Sequence, residues 1–87
     1  MLYKELTINN PEGLKSRPAA LFVQVASRFE SQILIERGNK KVNAKSIMGV
    51  LSLGIKQGDS IFVLANGRDE KDAVAAIEEL VSNSNPL

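Results

Sequence analysis

The sequence predicts an α+β domain in the order β-α-β-β-α-β-α, with helices stacked on one face of a four-stranded sheet. Three observations predict it. Four short segments are rich in β-branched residues or alternate apolar with polar ones, and three others space their apolar residues at helical period. Gly38-Asn39 stands between two of the strand segments and folds them into an antiparallel hairpin. The chain has 87 residues, 44% hydrophobic and 24% charged, which suits one domain spanning 1–87 with a modest core.

Each element has its own signal. Leu2, Lys4, Leu6 and Ile8 interleave with Tyr3, Glu5 and Thr7, so a first strand runs to the turn-forming Asn9-Asn10-Pro11-Glu12-Gly13. A helix follows: Ser16 is a good N-cap, Pro18 is tolerated in the first turn, and Ala19 to Phe29 supplies Ala20, Phe22, Val23 and Ala26 at helical spacing. That segment should be largely buried. Ser31 to Arg37 and Lys40 to Ala44 form the hairpin. Ser46 is placed to cap a short helix reaching Leu53, with Gly54 near its end. Gln57-Gly58-Asp59 turns the chain into Ser60 to Ala65, a continuous apolar run typical of a central strand, and Asn66-Gly67-Arg68 turns it again. Asp69 with Asp72 resembles a carboxylate version of the capping box, ahead of a last helix striped by Ala73, Val74, Ile77, Leu80 and Val81. The tail 82–87 reads as frayed.

Composition removes several kinds of chemistry. The chain has no cysteine and no histidine, which excludes disulfides, thiol chemistry, the commonest metal ligand and the side chain best suited to proton transfer near neutral pH. No Gly-x-Ser-x-Gly elbow or Ser-x-x-Lys motif is present, and the carboxylates are scattered or sit on the last helix. Neither catalysis, a metal site nor a cofactor is expected. No apolar run approaches the roughly 18 residues of a membrane span, and Met1-Leu2-Tyr3-Lys4-Glu5 lacks the order of a signal peptide, so the cytoplasm is expected. Residues 1–56 carry nine Lys/Arg against four Asp/Glu, and residues 57–87 carry two against six. An acidic or phosphorylated partner would prefer the first part. Lys40, Lys41 and Lys45 lie close together, yet one tyrosine and no tryptophan give no stacking platform, and direct nucleic-acid binding is not expected.

The two helix starts remain. At the first, Lys15, Ser16 and Arg17 stand beside free backbone amides; this reads either as an anion pocket or as a simple cap with exposed basic residues. At the second, Ile47, Met48 and Leu51 share one helical face beside Ser46; this reads either as core or as a docking surface with a phosphorylation switch.

GLKSRPAALFVQ at 13–24 and KKVNAKSIMGVLSLG at 40–54 resemble the HPr family of phosphocarrier proteins of the bacterial sugar phosphotransferase system, and the element order matches over residues 2–82. The resemblance implies an open-faced two-layer sandwich: a four-stranded antiparallel sheet with three helices on one face. In that family the first motif holds an active-site histidine, two residues before an arginine and then a proline. Arg17 and Pro18 match; the histidine position is Lys15. A lysine ammonium has no lone pair with which to accept phosphoryl, so relay toward sugars should be lost. The second motif is kept. Ser46 matches the serine presented to HPr kinase/phosphorylase, and Ile47, Met48 and Leu51 match the apolar patch that meets partners. The combination resembles the catabolite-repression HPr-like subfamily, which lacks the histidine but carries glutamine there. What it implies is a regulatory protein, phosphorylated on Ser46, that serves as corepressor of the catabolite control protein, a LacI-type repressor that itself makes the DNA contact. Arg17 would assist at the same anion or at a partner carboxylate. A homodimer is left open, as are a carrier working through another residue and a binding module without phosphorylation.

Overall fold

The computed structural model describes residues 1–83. Seven elements form in the expected order: β1 (Leu2–Thr7), α1 (Ser16–Ser27), β2 (Gln32–Arg37), β3 (Lys40–Asn43), α2 (Ile47–Ser52), β4 (Ser60–Asn66) and α3 (Glu70–Ser82). The strands lie in the order β1-β4-β2-β3, every neighbouring pair antiparallel. Leu6 lies opposite Ile61, and Ile35 lies opposite both Val63 and Val42, so side chains of like character share a face.

β4 is central, as its apolar run predicts, but only alternate residues are buried. Ile61, Val63 and Ala65 face the helices, whereas Phe62 and Leu64 are half-buried on the opposite face. On that uncovered face Tyr3 stacks on Phe62 with ring centroids 5.0 Å apart, and its hydroxyl donates to Glu36 at 2.7 Å. Beneath the helices, Phe22 of α1 and Ile77 of α3 are fully buried against Ile8, Ile33 and Ile35. Burial of each such side chain contributes about 1.5–3 kcal/mol.

Local detail departs from the expectations at the helix ends. Lys15, not Ser16, occupies the N-cap of α1, and Ser16 is the first helical residue with φ of 48° and no capping bond. A left-handed backbone turns its hydroxyl away from the amides that a cap must reach. The residues of α1 that are buried are Pro18, Ala19, Phe22 and Ala26; Ala20 is exposed and Val23 half-buried, so the helix presents one stripe to the core rather than being largely enclosed. The helix ends at Ser27, and Phe29 follows it with an N–H bond to the Ala26 carbonyl at 3.3 Å. Asp69 holds the N-cap position of α3 without capping it, because its carboxylate is engaged by another segment described below. Ser82 is helical rather than frayed: Asn9 ties the end of α3 down, its N–H donating to Val81 at 2.8 Å and its Nδ2 to the Ser82 carbonyl at 3.2 Å. The remainder of the expected tail, 84–87, lies outside the described residues. No helix among the described residues is long and apolar enough to cross a membrane.

Candidate functional site: two serine-bearing helix starts

Ser46 owes its position to the strand before it. The Asn43 carbonyl accepts from the Ser46 N–H at 3.1 Å and the Asn43 Oδ1 accepts from the Lys45 N–H at 2.9 Å, a side-chain turn that closes β3 and aims the chain into α2. Ser46 then adopts an extended backbone, φ −110° and ψ 117°, and its Oγ accepts from the Gly49 N–H at 3.2 Å. This is the expected cap. Gly49 lies tight on the hairpin: a Cβ there would stand 3.3 Å from Val42 Cβ and 3.4 Å from the Asn43 carbonyl oxygen.

Behind the cap, Val50 and Leu53 point into the core, while Ile47, Met48 and Leu51 are 39%, 74% and 41% exposed. Their exposure removes the core reading of the trio and leaves an outward apolar face beside the hydroxyl. The far end of α2 is held by cations that complement its dipole. Lys40 donates to the Ser52 carbonyl at 3.1 Å, and Arg37 donates to the Leu53 carbonyl at 2.8 Å while pairing with Asp59 at 3.1 Å. The Lys45 ammonium is directed away from Ser46 to the Phe29 carbonyl at 2.7 Å. Asn43, Lys45 and Arg37 are positioning residues that motif reading passes over; the Asn two residues before a basic residue and a capping serine is the signal for the first of them.

The other start is built differently. Asn10 is buried in the loop before it, with Nδ2 donating to the Gly13 carbonyl, and the Gly13 N–H returns to the Asn10 carbonyl at 3.0 Å. Gly13, with φ of 64°, is pressed so closely on the 54–59 loop that a Cβ would stand 2.4 Å from the Ile55 carbonyl oxygen. Leu14 is buried and its N–H bonds that same Ile55 oxygen at 3.1 Å. Lys15, Ser16 and Arg17 therefore emerge from a fixed base and are all exposed. Lys15, Ser16, Pro11 and Glu12 line an open cleft whose other wall is Lys56 and Gln57, two residues the sequence gives no reason to place there. Among the described residues, no hydrogen bond or ion pair joins Arg17 to Ser46. No group of three or more metal-ligating side chains gathers among them either.

The carboxylate of Asp69 makes a clasp at the opposite end of α1. It accepts from the N–H groups of Glu30 at 2.9 Å and Ser31 at 3.0 Å and from the Ser31 hydroxyl at 2.5 Å. The Ser31 hydroxyl, followed by these amides, holds the Asp69 carboxyl below the usual carboxylate range. Glu70, the first helical residue, reaches back instead, accepting from the Gly67 N–H at 3.1 Å and meeting the Met1 ammonium at 3.0 Å.

With this geometry in hand, the chain's likeness to known proteins is specific. A family model described as the PTS HPr component phosphorylation site matches residues 2–83. The HPr-like protein Crh of Halalkalibacterium halodurans is 51% identical over 77 residues, covering 88% of this chain and 92% of that one. The crystal structure of HPr-C-His from Thermoanaerobacter tengcongensis superposes with a TM-score of 0.91 at 52% identity, covering 94% of this chain and 92% of that one. The crystal structure of Crh, the Bacillus subtilis catabolite-repression protein, a domain-swapped dimer, gives 0.77 at 42% identity over 97% of each chain. This chain belongs to the HPr family.

Proposed function

We propose that this chain is a regulatory member of the family in carbon catabolite repression, phosphorylated on Ser46 by HPr kinase/phosphorylase in the cytoplasm and acting as corepressor of the LacI-type catabolite control protein. The observation that carries the reading is a capping hydroxyl at Ser46 next to the exposed Ile47, Met48 and Leu51. The likeness to proteins named Crh supports the regulatory branch of the family. The absence of any histidine leaves no imidazole to take phosphoryl in the manner of a phosphocarrier.

The switch acts at the interface. A phosphate on Ser46 adds roughly −1.5 to −2 charge at the positive end of α2, favourable by about 0.3–2 kcal/mol. That is small against the stability of a domain, about 5–15 kcal/mol, so the fold stays as it is. The new oxygens instead offer acceptors to a partner's cations, each charge-assisted bond contributing about 1.5–3 kcal/mol. The apolar trio supplies contact area; the phosphate supplies selectivity, with Arg17 as an additional partner contact. Self-association belongs to the same reading, supported by the swapped dimer of Bacillus subtilis Crh.

Repressor binding by the kinase-treated protein should exceed that of the untreated protein and of Ser46→Ala, and equal binding by all three overturns the proposal. Incubation with enzyme I and phosphoenolpyruvate should leave the mass unchanged, whereas Lys15→His gains some acceptance. A gain of about 80 Da by the unaltered chain, one phosphoryl group, would instead show a carrier working through another residue.

A further inference from the structure

No residue but glycine fits at position 67. A Cβ there would stand 2.6 Å from Ser31 Oγ and 2.7 Å from Ser31 Cα, so the turn out of β4 presses its backbone against the segment that Asp69 clasps. The residue before it is Asn66. Of the asparagines in this chain it alone precedes a glycine, whose main-chain nitrogen no side chain shields. Asn9 and Asn43 spend their carboxamides on backbone groups and Asn10 is buried. Asn66 is exposed, and its side chain makes no hydrogen bond to any described residue.

The nitrogen that follows Asn66 already faces a base. The Gly67 N–H donates to Glu70 Oε1 at 3.1 Å, and the Met1 ammonium meets Glu70 Oε2 at 3.0 Å. These contacts, the Gly67 amide first, hold the Glu70 carboxyl below its usual range, so at neutral pH it is ionised and able to take a proton.

We propose that Asn66-Gly67 is a self-modifying site, converting Asn66 to aspartate and isoaspartate with Glu70 as proton acceptor, and that the isoaspartate loosens the Asp69 clasp. The Gly67 nitrogen attacks Asn66 Cγ while its proton passes to Glu70. The new C–N bond closes a succinimide ring, the carboxamide C–N bond breaks, and ammonia leaves with the proton that Glu70 returns. Water then opens the ring. Addition at the side-chain carbonyl gives aspartate; addition at the main-chain carbonyl gives isoaspartate, which makes the main chain one methylene longer. Because Gly67 lies hard against Ser31, that extra length is passed on to the start of α3, where Asp69 binds Glu30 and Ser31.

Ageing the purified chain at neutral pH tests this, with each peptide weighed and isoaspartate counted by methyl transfer from S-adenosylmethionine through an isoaspartyl methyltransferase. The peptide holding Asn66 should gain about 1 Da, while Asn39, also exposed but followed by Lys40, should stay unchanged over the same time. Glu70→Gln keeps an acceptor for the Gly67 N–H without its basicity and should slow the gain about tenfold. Glu70→Asp, which keeps the charge at the helix start but shortens the reach, should slow it as well. An unmodified Asn66, or variants that age as fast as wild type, overturns the site. The isolated isoaspartate form should melt below the unmodified chain and lose hydrogen-exchange protection at the Glu30 and Ser31 amides. Asn66→Asp, with the same charge and no added length, should keep both. Wild-type protection of Glu30 and Ser31 in the isoaspartate form overturns the loosening of the clasp.

Discussion

α1 and α2 begin with the same dipeptide, Lys15-Ser16 and Lys45-Ser46, and the two serines do opposite things. Ser46 is extended and its hydroxyl caps the helix through Gly49; Ser16 sits inside the first turn with φ of 48° and caps nothing. The lysines differ as well. Lys45 directs its ammonium to the Phe29 carbonyl, whereas Lys15 is exposed on a cleft. What separates the pairs is the residue that leads in. Asn43 bonds the backbone of both Lys45 and Ser46, while Gly13 and Leu14 are pulled onto Ile55, which forces the sharp entry into α1. A helix start is therefore decided by what anchors the chain before it.

The largest test of that contrast is Gly13→Ala. A methyl group at a positive φ, against a carbonyl oxygen, should cost about 2–4 kcal/mol in urea unfolding. Wild-type stability for this variant would mean that the loop before α1 is not held by the 54–59 loop at all.

The next effect comes from the third helix start, where Asp69 serves a neighbouring segment instead of its own helix. Its carboxyl is held below the ordinary value, so its contribution is fully present above about pH 4, the unfolded value, and is lost as pH falls through the lower folded value. Asp69→Asn should lower Tm near neutral pH by more than loss of a single cap does, and the gap to wild type should narrow in acid. A gap that is constant with pH would show that the charge of Asp69 is not what holds Glu30 and Ser31.

Smaller still is the serine pair itself. Ser46→Ala should cost about 1 kcal/mol through the lost cap, and Ser16→Ala should stay within about 0.5 kcal/mol. Equal costs would erase the distinction between the two starts. The smallest expected change in stability is at Met48, 74% exposed. Met48→Ala should leave unfolding within about 0.5 kcal/mol of wild type while weakening repressor binding, so a large loss of stability would return this residue to the core.

Much of this was legible in the sequence because it is local. The period of Leu6 and Ile8, of Phe22 and Ala26, and of Ala73, Val74 and Ile77 reports which face meets the core, and Ser46 as cap needs only the amide of Gly49, three residues on. Asp69 was misread for the opposite reason: a capping acid and an acid that binds a distant loop look the same in one dimension. Ser16 departs from its residue type's preference because it enters α1 with φ of 48°, just after Leu14 is held by the distant Ile55 carbonyl, and neither feature is visible in a local pattern. The same contact brings Lys56 to Lys15, which no spacing rule anticipates.

By itself the sequence determined the order of elements, most of the buried stripe of α3, the capped start of α2 and the impossibility of a phosphohistidine, since each follows from residue type or from a period of a few residues. Tertiary structure alone decided that Ile47, Met48 and Leu51 face outward, that Asp69 clasps the end of α1, and that the two lysines share a cleft. Those outcomes depend on which segments fill the space beside each side chain, and the segments that do so are far apart along the chain.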